Sequence, residues 1–154
     1  MRRTALLCAL VAQFATAGAS MATDAGQPAA GDSGALDGRV FEATMVVDQY
    51  DAPFEDRITF KDGMFHSEEC QRACDFGWTP YYTRREGDAI AFVVETACSD
   101  SPQSARWEGR VVGDRIEAEI VWTVERFYWT VQRNATASGS LAAATGGGAV
   151  VLTE

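Results

Sequence analysis

The 154-residue chain contains one histidine, His66, and no G-x-S-x-G elbow, so no Ser-His-acid triad can be read from it. No stretch approaches the roughly 20 apolar residues a membrane-crossing helix needs. Positive charge is also scarce, with thirteen Lys and Arg against twenty-two Asp and Glu. That balance makes nucleic acid and anionic lipid surfaces poor partners. Nor is there a convincing amphipathic helical pattern, so helix-based architectures are not expected. An enzyme is the least favoured class, and no cofactor is expected.

The longest apolar run, residues 5–17, follows Arg2 and Arg3 and ends in small residues that allow a cut after Ala19 or after Ala22. This pattern predicts a secretory signal peptide over 1–22, and with it a periplasmic or secreted protein. The arginine pair lacks the longer surrounding motif of twin-arginine export, and Cys8 lies too early for a lipobox and leaves with the signal. Residues 23–37 and 142–154, rich in Ala, Gly, Asp, Ser and Thr, read as a flexible linker and tail. Between them, 38–141 forms one domain, expected to be a monomer.

Asp62-Gly63, Gly87-Asp88 and Gly113-Asp114 each separate two alternating apolar runs, the pattern of two-residue hairpins. About Gly113-Asp114, Val111 falls opposite Ile116, Gly109 opposite Ala118 and Trp107 opposite Ile120, while Arg110 meets Glu117 on the other face. The second hairpin sets Ile90, Phe92 and Val94 against Arg85, Thr83 and Tyr81, and the first sets Phe60 against Phe65. An opening strand over 39–47 and a closing strand over 127–141, supplying Trp129 and Val131, bring the count to eight. Closure alone removes the edges of such a meander, so the expected fold is all-β, an eight-stranded antiparallel up-and-down barrel. Its inward set, Phe41, Met45, Phe60, Phe65, Phe92, Trp107, Ile120 and Trp122, is bulky enough to favour a packed core over a wide ligand cavity.

In that meander the long connections, 48–56, 68–79, 97–105 and 123–126, share the end opposite the tight turns, and Cys70, Cys74 and Cys98 gather there. Exported cysteines pair by default. Two strand spacings, about 9.5 Å, separate the strands that end at Cys70 and Cys98, which exceeds bridging range. The preferred disulfide is therefore Cys74 to Cys98, then Cys70 to Cys98, then Cys70 to Cys74, leaving Cys70 as a free thiol in the first case. His66 with the three cysteines has zinc-ligand chemistry without paired short-knuckle spacing, and His66 opposite Thr59 should point outward, so no metal is assigned. The loop "DQYDAPFED" lacks the fixed spacing of a calcium site and reads as solvated acid. Asn134-Ala135-Thr136 is a sequon that matters only in a eukaryotic secretory pathway.

"LDGRVF", "FKDGMFHSEEC", "PYYTRREGDAIAF" and "WEGRVVGDRIEAEIVW" resemble segments of a family of small, exported, uncharacterised bacterial β-barrel proteins and, more distantly, calycin barrels of the lipocalin and avidin type. The resemblance covers most of 36–141 and implies a bacterial periplasmic or secreted protein with no assigned reaction. In that family the cysteine matching Cys70 often lacks a partner, which also favours pairing Cys74 with Cys98. The expected function is binding of an unknown, small apolar ligand. The alternative is an inhibitor or envelope protein-binding module acting through the loop end. Tyr50, Phe54, Phe76 and Trp78 are the candidate binding rim for either, or they plug the barrel mouth. Asp48, Asp51, Glu55, Asp56 and Asp75 should make that rim acidic and favour a basic or apolar partner.

Overall fold

The structure, a computed structural model, describes residues 34–143. The expected signal peptide, most of the linker and the tail beyond residue 143 lie outside the described residues. Eight strands, β1 (Val40–Val47), β2 (Phe54–Lys61), β3 (Met64–Ser67), β4 (Thr79–Glu86), β5 (Ala89–Ala97), β6 (Gln103–Val112), β7 (Arg115–Glu125) and β8 (Thr130–Leu141), form a closed antiparallel barrel in chain order. β1 pairs with β2 on one side and with β8 on the other, from Phe41 opposite Leu141 to Val47 opposite Ala135. Gly139 makes that seam possible, since a Cβ there would stand 2.3 Å from the Glu42 carbonyl oxygen.

Strict alternation drives the closure. Along β1 every second residue is buried, and the same period runs through β5 and β7, so one face of each strand must find an interior. The registers inferred from the turns are those observed: Phe60 with Phe65, Phe92 with Thr83, and Trp107 with Ile120. In the first turn Asp62 and Gly63 both take positive φ, 53° and 74°, the geometry that matches strand twist in a two-residue hairpin. Outward positions carry charge at mid-strand, with Arg106 bridging Glu95 and Glu108, and Arg57 paired with Glu42. Such an outer wall suits water rather than lipid.

The middle and the tight-turn end are filled. Phe60 sits among Tyr81, Phe92, Phe65 and Phe41 with ring centroids 5.0, 5.3, 5.5 and 6.2 Å away, and Trp107 lies 5.0 Å from Phe65. Most of these contacts are edge-to-face, the arrangement aromatic quadrupoles prefer.

Several local expectations need correction. The part of the linker within the described residues is folded: residues 34–38 form a turn whose Leu36 is fully buried. The Leu36 amide donates to the Tyr81 hydroxyl (3.1 Å), which in turn donates to Asp37 Oδ1 (2.8 Å). One apolar residue in a polar stretch is enough to stopper the barrel. The connection after β3 holds a helix, α1 (Glu68–Cys74), capped by Ser67, whose Oγ accepts from the Cys70 amide at 3.0 Å. Its seven residues are too few for an apolar stripe to show in sequence. β7 continues to Glu125, and β8 begins at Thr130, leaving Arg126 to Trp129 as the connection. Trp129 is consequently exposed, and Ala135 and Ala137 are the buried residues of β8.

Candidate functional site at the barrel mouth

The four longer connections, residues 48–53, 68–78, 98–102 and 126–129, surround the mouth. α1 contacts β2 and β3, and two devices hold it there. At its start, Asp56 is buried and accepts from Ser67 Oγ (2.7 Å) and from the Glu69 amide (3.0 Å), so the carboxylate supports both the cap and the first turn. At its end, Cys74 lies at disulfide distance from Cys98, with Cα atoms 5.7 Å apart. Asp56 therefore does not belong to the solvated acidic rim. β2 starts at Phe54, and alternation turns residue 56 inward. Burial pushes its carboxyl above the ordinary 3.8, against the lowering effect of the hydrogen bonds from Glu69, Ser67 and Arg57.

Beneath α1 lies a cavity of about 170 Å³. Cys70 and Ala73 of α1, Phe76 beyond it, Tyr50 and Phe54 of the first connection, and Met45, Val47, Ala105, Ile120, Trp122 and Ala135 of the wall line it, with Glu69 as the one charged neighbour. Glu69 is paired with Arg72. Three of the four expected rim aromatics thus meet at one cavity. Trp78 does not; it is 48% exposed and stacks on His66 outside, ring centroids 4.9 Å apart. Cys70 is a free thiol, and burial pushes its pKa up to about 12, so it stays protonated and unreactive.

Arg133, opposite Trp122 in register, carries no signal in the sequence. Its guanidinium lies over two cavity-lining rings, 5.3 Å from the Tyr50 centroid and 5.9 Å from that of Trp122. Trp122 is held in turn by its indole N–H, which donates to Gln103 Oε1 at 3.1 Å. One layer below, fully buried Trp107 has an indole N–H with no hydrogen-bond partner among the described residues.

The second feature that sequence reasoning misses is the tip of the β7–β8 hairpin. Phe127, Tyr128 and Trp129 are 90%, 83% and 61% exposed, side by side at the loop end. Three adjacent aromatics in "RFYWT" are the available signal, obscured because an alternating strand pattern continues through them.

Among the described residues the one group with metal-ligand chemistry is Cys74, Cys98 and Asp100, whose donor atoms lie within 4.8 Å of one another. His66 is not part of it. The two sulfurs stand at disulfide distance from each other, and a metal would need them as separate thiolates. A larger hollow of about 540 Å³ lies across the outer wall of β4 to β8, lined by charged side chains such as Arg84, Glu86, Glu108, Arg110, Glu117 and Glu119. It is an open concavity in which those charges alternate with apolar residues such as Ala91, Val93 and Ala118. No described helix is long and apolar enough to cross a membrane.

No family model, curated protein or solved structure matches the chain. The closed eight-stranded meander is consistent with a calycin-like barrel, and the resemblance bears on architecture alone.

Proposed function

We propose that this is an exported binding protein that takes a small apolar body into the mouth of its barrel. The observation that carries the reading is the 170 Å³ cavity, walled almost entirely by carbon and roofed by a helix tied at both ends. Ligand pockets for drug-sized molecules run from about 300 Å³ upward, whereas apolar cavities of about 150 Å³ accept benzene. The occupant is therefore benzene-sized, or is the apolar end of something larger. The cysteine pair at disulfide distance and the charged outer wall are compatible with export to a periplasm or beyond. The test is titration with benzyl alcohol followed by Trp fluorescence and by NMR. Saturable binding in the wild type that is lost in Ala135→Leu, with folding retained, supports the reading. Equal binding by both proteins removes it.

A second reading, recognition of a protein partner through the loop end, is favoured by Phe127, Tyr128 and Trp129. Aromatics are enriched at the centres of protein interfaces, and three together present an apolar patch of several hundred Å². The four mouth connections hold Asp48, Asp51, Glu68, Glu69, Asp75 and Asp100 against Arg72 and Arg126, so such a partner would be basic around an apolar cleft. Replacing the three aromatics by Ser should abolish capture of a defined partner while leaving benzyl alcohol binding intact. Capture that survives the triple change would place recognition elsewhere.

A further inference from the structure

We infer that the mouth cavity selects small organic acids, a compact apolar body bearing a carboxylate, with Arg133 as the group that recognises the acid. This rests on the cavity being a ligand site, and it names the class of ligand. Three observations converge.

First, Arg133 has no ion-pair partner among the described residues, and although Arg39, Arg85, Arg110, Arg115 and Arg126 share that, Arg133 is the one that lies over rings of the cavity wall. At the mouth, Glu69 is satisfied by Arg72 and Asp56 by Ser67 and the Glu69 amide. The acids nearest the cavity are thus already engaged, and the guanidinium fork of Arg133 is not.

Second, the side chain is pre-organised. It lies half-buried over Tyr50 and Trp122, and Trp122 is fixed by Gln103. Contact with two rings orients a planar cation without using its N–H donors, which stay free for a bidentate carboxylate.

Third, both rings line the cavity while Arg133 itself does not, so the cation stands one ring away from the hollow. The assignment requires the carboxylate of a benzene-sized body in that cavity of about 170 Å³ to project past the Tyr50 and Trp122 rings to Arg133. The acidic surroundings would suggest that anions are excluded. Of the nearest acids, Glu69 is neutralised by Arg72 and Asp56 is engaged by Ser67 and the Glu69 amide, while the exposed carboxylates of the connections are screened within about 8 Å at physiological salt.

Benzoate, benzyl alcohol and benzylamine share the ring and differ in charge, and titrating each at pH 7 against wild type, Arg133→Gln and Arg133→Lys tests the assignment. The expected order for wild type is benzoate tightest, by roughly tenfold over benzyl alcohol, with benzylamine weakest. Arg133→Gln should abolish the preference, read as the ratio of benzoate to benzyl alcohol affinity within the same protein, bringing that ratio to one or below. Arg133→Lys should keep part of the preference, since it retains the charge without the fork. If benzyl alcohol binds but benzoate has no advantage, or keeps its advantage in Arg133→Gln, the assignment falls and the apolar site stands. If none of the three saturates the wild type, the ligand site itself is absent, and the assignment falls with it.

Discussion

The two ends of the barrel are built from the same strands and differ in nearly everything else. At the tight-turn end the strands are joined by two-residue turns, Leu36 closes the opening, and the aromatic cluster around Phe60 packs ring against ring. At the loop end the same alternating pattern meets longer connections, a seven-residue helix, a pair of cysteines at disulfide distance, a buried carboxylate and an apolar hollow. The contrast separates roles. One end supplies the free energy that holds the barrel shut, and the other accepts imperfect packing and needs separate fasteners to keep its shape.

The largest effect should come from the filled end. Phe60→Ala removes a ring that touches four other aromatics and is expected to cost about 3–5 kcal/mol in urea unfolding. A loss below about 1 kcal/mol would mean that this end is not the keystone. Next is the clamp at the mouth. Cys74→Ser with Cys98→Ser opens a link between residues 24 apart in sequence and should cost about 3 kcal/mol. Hydrogen exchange should rise first in α1 and the 98–102 connection, with little change around Phe60. Loosening spread evenly over the barrel would erase the distinction between the ends.

Tyr81→Phe breaks the stopper by removing both hydroxyl contacts, to the Leu36 amide and to Asp37, with an expected loss of about 1–2 kcal/mol. The smallest effect at neutral pH should come from Asp56→Asn, about 1 kcal/mol, because the amide keeps the shape and one of the two acceptors while relieving the buried charge, which offsets the donor left unpaired. Its mark is in the pH dependence. The folded chain holds the Asp56 proton more tightly than the unfolded chain does. The resulting stabilisation is fully present below about 3.8 and is lost as pH rises through the raised folded value. The stability of wild type minus that of Asp56→Asn should therefore fall as pH rises from 3.8 and then level off. A difference that grows with pH would mean the carboxylate is favoured by its site.

Legibility in the sequence divides along the same line. Period-two alternation and Gly-Asp turns are local and repetitive, so the barrel, its registers and its inward aromatics are legible from the residues alone. The mouth depends on where non-repeating segments cross. Asp56 reads as one more acid of a solvated loop because the strand start at Phe54 decides which way it points, and nothing local marks that start. Trp78 reads as the equal of Phe76, yet the chain's exit from α1 places one against His66 and the other over the cavity. Arg133 is an ordinary charged residue until closure of the barrel brings Tyr50 beneath it.

The central claim is that the mouth, and not the barrel interior, is where an apolar ligand enters. NMR titration of the isotope-labelled protein with benzene tests it most directly. The expected result is saturable shifts at Met45, Ile120 and Ala135 around the cavity, with the Phe60 and Phe92 region silent. Shifts centred on Phe60, or no saturable shift at all, would contradict it.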